Sequence, residues 1–276
     1  METVENFAAR LRLAGKESFC HYAINGSVTE DSDLPGLYAA GALAFGEMFA
    51  ASSSYGSALK PEVISEALTI LAKHGALTTV HAEEVKTGAV HTLAGHAEAR
   101  PVAGEAATVD LVNALAPAGA RLHFCHMSGT ASIVRVMMRR GNTYEVAPHH
   151  LFLSWEEHDG SDTRFRMNPP LRTKTERMNL WRMFAAIPVI ASDHAPHTVA
   201  EKAQPFADAP SGVPGVETML PLLMNAVLEE KISLAAVLEK TVTTPYRIFG
   251  LSAPVVSVGS RADLAVYADL PVRISG

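Results

Sequence analysis

Apolar residues along this chain alternate between two periods. Val4, Phe7, Ala8 and Leu11 fall at i, i+3, i+4 and i+7, which predicts a helix over residues 3–13 ended by Gly15. Residues 18–24 then read as a strand stopped by Asn25-Gly26. A short helix over 34–40 leads to a strand over 42–49 and a Ser/Gly-rich loop, Ser52 to Ser57. Pro61 opens a helix carrying Val63, Ile64, Ala67, Leu68 and Leu71 on one face, closed by Gly75. Further strands are predicted at 77–80, 122–125, 143–147 and 187–192, with 263–267 as a last short one. Between them lie helices at 105–115, 131–140 (Ile133, Val134 and Met137 on one face) and 175–186. Residues 82–104 read as polar and irregular, and two amphipathic helices follow at 217–229 and 234–239.

Strands alternating with helices mean βα units and a parallel sheet. Six strands precede Asp193, centred near Tyr22, Phe45, Thr79, His123, Val146 and Ile190. A doubly wound sheet could be built from six, whereas a closed barrel needs eight. The distribution of ligand-type residues decides for a barrel. Glu47, His81, His126 and Asp193 stand at or near strand C-terminal ends, where a barrel gathers its chemistry at one centre. Imidazole and carboxylate groups from separate strands suit a divalent transition metal, most simply zinc. Cys125 and Glu145 stand close by and could supply an extra metal position, although a small buried residue is the commoner role for a strand cysteine.

The remaining composition narrows the picture by exclusion. The 276 residues, 48% hydrophobic with a net charge of -6, describe an ordinary globular protein. No basic patch suggests nucleic acid, and no apolar run is long enough to span a membrane. Two cysteines are too few for a disulfide framework and fit a reducing, cytoplasmic compartment.

Five motifs then resemble dihydroorotase of the amidohydrolase superfamily. They are Val80-His81-Ala82-Glu83, Cys125-His126-Met127-Ser128, Glu145-Val146-Ala147-Pro148-His149-His150-Leu151, Asn168-Pro169-Pro170-Leu171-Arg172 and Ser192-Asp193-His194-Ala195-Pro196-His197. Pro214-Gly215-Val216-Glu217-Thr218 follows at the spacing of that family. The resemblance implies a (β/α)8 TIM-type barrel of the metal-dependent hydrolase kind with two zinc ions. It implies reversible hydrolysis of dihydroorotate to N-carbamoyl-aspartate, in pyrimidine biosynthesis. By matching motif, His81 and His126 would be metal ligands, and Asp193 a metal ligand and proton shuttle. Asn168, His197 and the backbone at Gly215 would hold the substrate.

Two departures from the family shape the expectations. No His-x-His occurs, so strands 3–8 are expected here without the segment carrying that motif, and about one zinc rather than two. No Lys lies in 42–49, which leaves Glu47 as the bridging carboxylate. The expected organisation is a partial barrel over 1–250 and the start of a small β domain over 251–276. An incomplete barrel would leave strand edges unpaired, so association with another copy and little activity of the chain alone are expected. Two further readings remain: a non-catalytic dihydroorotase-like scaffold subunit, and a hydrolase of the hydantoinase or allantoinase type.

Overall fold

Five short runs rich in β-branched and aromatic residues pair into one parallel sheet in this computed structural model, which describes residues 1–50, 58–86 and 90–267. They are β1 (Phe45–Phe49), β2 (Leu77–His81), β3 (Arg121–Phe124), β4 (Thr143–Val146) and β5 (Val189–Ile190), side by side in chain order. Every neighbouring pair is parallel. Among the described residues β1 and β5 do not pair with each other, so the sheet is an open arc. The stretch 52–57 lies outside the described residues.

Helices make each crossover. α1 (Val4–Glu17) and α2 (Leu34–Ala39) precede β1, and α3 (Pro61–Lys73) leads to β2. Pro61 sits in the first turn of α3, where its missing N–H costs nothing, and the helix buries Ile64, Ala67, Leu68 and Leu71. Burying Leu68 or Leu71 this fully contributes about 1.5–3 kcal/mol apiece. α4 (Leu93–Ala99) and α5 (Val102–Leu115) lead to β3, and α6 (Thr130–Met138) leads to β4. α7 (Pro148–Phe152) and α8 (Lys174–Arg182) connect β4 to β5. After β5 come α9 (Val199–Lys202), α10 (Val216–Leu228), α11 (Leu234–Leu238) and α12 (Thr244–Ile248). Among the described residues no helix is long and apolar enough to cross a membrane.

Four expectations are corrected. Residues 18–24 form no strand: Gly26 alone bridges to Phe45, while Phe19 and Tyr22 are exposed. Among the described residues Leu43 N–H donating to the Ile24 carbonyl is its one backbone bond toward β1, so the run has no ladder to join. Residues 263–267 also carry no strand and lie in an exposed tail that starts near 251. The polar stretch 82–104 contains α4, which buries Leu93 and His96. On α6 the buried face is Ser132, Ile133 and Val136, and Val134 and Met137 face outward.

One glycine sets the fit of β1 to β2. Gly46 has φ +145°, and a Cβ there would lie 2.2 Å from Thr79 Oγ1 and 2.3 Å from the Thr79 carbonyl. Only a residue without a side chain allows that approach. The register between Phe45 and Met48 is irregular at this point, next to Glu47.

Candidate metal centre

Three strands bring Glu47, His81 and His126 together. Glu47 comes from within β1, His81 ends β2, and His126 follows β3 by two residues. Nδ1 of His81 lies 3.0 Å from Nε2 of His126, which lies 3.3 Å from Oε2 of Glu47. Nδ1 of His81 is 3.5 Å from the same carboxylate oxygen. All three ligand atoms lie within 4.8 Å of one another, and no other such His, Cys, Asp or Glu group occurs among the described residues.

The donor set fits a divalent cation. Two imidazole nitrogens and a carboxylate oxygen match the preferences of zinc and its neighbours. Nδ1 of His126 is buried without a hydrogen-bond partner, so the polar contacts of that ring all lie on the cluster side. On the far side of His81, Nε2–H donates to Oε2 of buried Glu83 at 2.8 Å.

Charge at the centre follows from this crowding. Burial alone would raise the Glu47 carboxyl pKa, but the His126 charge and the hydrogen bonds with His126 and His81 hold it below the usual range. Burial lowers the His126 pKa, yet Glu47, Asp193 and Glu145 together lift it to about 10. His81 is likewise raised: burial opposes, while hydrogen bonds to Glu47 and Glu83 prevail. Carboxylates around the pair therefore draw positive charge into the centre.

Asp193 follows β5 and lines the same cavity of about 410 Å³, together with Glu47, Phe49, His81, His126 and Asn168. Burial first, and then Glu47 and Glu145, raise its carboxyl pKa to about 6 against the opposing charges of His126 and His81. Both His126 (φ +37°) and Asp193 (φ +47°) have left-handed backbone, uncommon for side-chain-bearing residues. Such backbone costs roughly 1–3 kcal/mol per residue and persists where the surroundings over-determine it, often at functional sites.

Two residues expected to hold substrate, His197 and Gly215, border a neighbouring cavity. Nε2 of His197 donates to the Ser211 carbonyl at 3.1 Å, and His197 lines a neighbouring cavity of about 890 Å³. The Gly215 N–H donates to Nδ1 of His194 at 3.0 Å, beside that second cavity. A Cβ at Gly215 would lie 2.1 Å from the Ser192 carbonyl, so this turn packs directly on the segment leading to Asp193. Cys125 and Glu145 do not join a ligand group. Oε2 of Glu145 accepts from His123 at 3.0 Å, and burial with nearby carboxylates pushes the Cys125 thiol well above its ordinary pKa.

With this geometry in view, the relatives are informative. A dihydroorotase of Methanosarcina mazei is 38% identical over 268 residues, covering 89% of this chain and 59% of its own. One of Halobacterium salinarum is 38% identical over 262 residues, covering 92% and 62%. The chain is similar in sequence to dihydroorotases. It spans about three fifths of the length of these dihydroorotases. No protein-family model matches it. Among solved structures, L-hydantoinase (dihydropyrimidinase) of Arthrobacter aurescens superposes with a TM-score of 0.81 at 24% identity, over 90% of this chain and 60% of that one. Dihydropyrimidinase of Brevibacillus agri gives 0.78 at 23%, over 93% and 63%. These likenesses show the fold: the open sheet of this chain is an arc of a TIM barrel.

Some residues at the centre gave no clear signal in the sequence. Glu83 read as polar loop, and His149 was part of a motif without a role of its own. Nε2 of His149 stands 3.5 Å from Oδ2 of Asp193 and has no hydrogen-bond partner. Burial and the His126 charge lower its pKa to about 3, so it is neutral. His96 on α4 donates from Nε2 to both the Met167 carbonyl and Oδ1 of Asn168, each at 3.0 Å.

Proposed function

We propose that this chain serves zinc-dependent hydrolysis of a cyclic amide, the interconversion of dihydroorotate and N-carbamoyl-aspartate, in the cytoplasm. The observation that carries the reading is the convergence of Glu47, His81 and His126 on one cavity that Asp193 also lines. Glu47, His81 and His126 would hold one zinc. Bound there, zinc would polarise the amide carbonyl and make water acidic enough to attack at neutral pH.

The chain's own groups supply the rest. Asp193, a carboxyl group on the wall of the same cavity, is the group placed to carry a proton. It takes the proton from the attacking water and returns it to the leaving ring nitrogen. Neutral His149 beside it adds no competing charge. Asn168 lines the cavity, and its Oδ1 is already engaged by His96. That leaves Nδ2 for an acceptor oxygen of the substrate, its carboxylate above all. His197 acts through Ser211, whose loop forms one wall of the cavity. A volume of about 410 Å³ suits a ligand the size of a single substituted ring.

The test is ring opening of dihydroorotate by the zinc-loaded protein. Turnover abolished by Asp193→Asn supports the reading. Turnover of hydantoin with none of dihydroorotate would move it to the hydantoinase class. Zinc binding with turnover of neither would favour a scaffold role.

A further inference from the structure

The buried acid Glu83 belongs to neither the cation ligands nor the cavity lining, yet it is enclosed directly behind His81. Its Oε2 accepts from Nε2–H of His81 at 2.8 Å and from Nη1 of Arg100. The Arg100 backbone carbonyl in turn accepts from Arg172, which also donates to Oγ of Ser128, two residues beyond His126. Glu105 accepts from the N–H and hydroxyl of the same serine. Side chains from five separate segments thus form one buried network behind the two imidazoles. None of Glu83, Arg100, Glu105, Ser128 and Arg172 lines the cavity.

From this arrangement we infer that Glu83 is a positioning residue: it fixes His81 with the proton on Nε2, so that the Nδ1 lone pair faces the cation. The inference rests on the metal reading above. An imidazole can present only one nitrogen as donor and the other as ligand, and the outer hydrogen bond decides which. Without an acceptor at Oε2, the ring is free to place its proton on Nδ1, where it blocks coordination. Arg100 steadies the device by donating to the same carboxylate oxygen as His81. Outer carboxylates of this kind are typically worth about 10–100-fold in metal affinity.

The experiment uses cadmium-113 as probe on protein carrying nitrogen-15 histidine. Cadmium should couple to Nδ1 of His81 while Nε2 keeps its proton. Glu83→Ala should then weaken cadmium affinity by about 10–100-fold and let the Nε2 proton signal disappear. Glu83→Gln retains an acceptor oxygen and should recover most of that loss, to within about tenfold of the parent. Cadmium bound through Nε2 of His81 in the parent protein overturns the inference even if Glu83→Ala does not fold. So does a folded Glu83→Ala with unchanged affinity. A parent protein that binds no cadmium removes the metal reading itself, which is a different result from either.

Discussion

Nδ1 of His81 and Nε2 of His126, 45 residues apart in sequence, face each other at 3.0 Å. Two ring nitrogens hold such a distance only by sharing a proton or a cation, and Glu47 beside them favours either. This contact is where the chemistry of three strands meets.

Removing both rings should remove the cation. After dialysis against zinc and then buffer, the protein should retain about one zinc per chain, and a His81→Ala, His126→Ala double variant close to none. Cys125→Ser and Glu145→Gln should retain the parent amount, since neither side chain joins the cluster. Elemental analysis decides, and unchanged zinc in the double variant would refute the assignment.

The Arg172–Glu105 pair is predicted to matter for stability far more than any surface pair. Both side chains are buried, their charges 3.5 Å apart, and Glu105 also accepts from Ser128, Gly129 and Ser132. Arg172→Leu leaves that carboxylate uncompensated and should cost about 3–5 kcal/mol in urea unfolding. Arg135→Ala, which breaks an exposed pair with Asp110, should change stability by less than about 1 kcal/mol. Equal effects from the two would contradict the role given to the buried network.

How much of this was visible in the sequence depends on the kind of signal. The runs ending at His81 and near His126 were readable because buried parallel strands are nearly continuous apolar segments. The same rule failed at Tyr22, where an apolar run meets only a single bridge and stays exposed. α4 escaped notice because seven residues with two buried positions give too little periodicity. The positive φ of His126 and Asp193 is a tertiary effect that residue type cannot announce. Glu83 was hidden for a related reason: a carboxylate two residues past a strand end reads as solvated loop until the fold closes over it.

His96 should impose an acid limit on the fold. Burial first, then the Arg100 charge, lower its pKa to about 4 against an ordinary value near 6.5. Above about pH 6.5 it is neutral folded and unfolded, and contributes no slope. Between about 6.5 and 4 the unfolded chain takes up a proton the folded one refuses, so stability falls as pH drops. At about pH 5 the loss from this group amounts to about 2 kcal/mol. Urea unfolding near pH 7.5 and near pH 5 should therefore show a smaller pH-driven loss in His96→Gln than in the parent. Identical losses would mean His96 is not held neutral.

Asn168 should discriminate substrates. It lines the cavity with its Oδ1 engaged by His96, so its amide N–H groups are what it has left for a carboxylate. In zinc-loaded, catalytically active protein, Asn168→Ala should raise KM for dihydroorotate by about tenfold or more and change hydantoin turnover little. A loss of equal size for both substrates would remove the carboxylate-binding role.

The central claim, a cation held by Glu47, His81 and His126, is met most directly by anomalous diffraction at the zinc edge from zinc-soaked crystals. The account predicts a peak at about 2.0–2.2 Å from Oε2 of Glu47, Nδ1 of His81 and Nε2 of His126. A map with no peak among these three atoms, or with its peak at Cys125 and Glu145 instead, would contradict it.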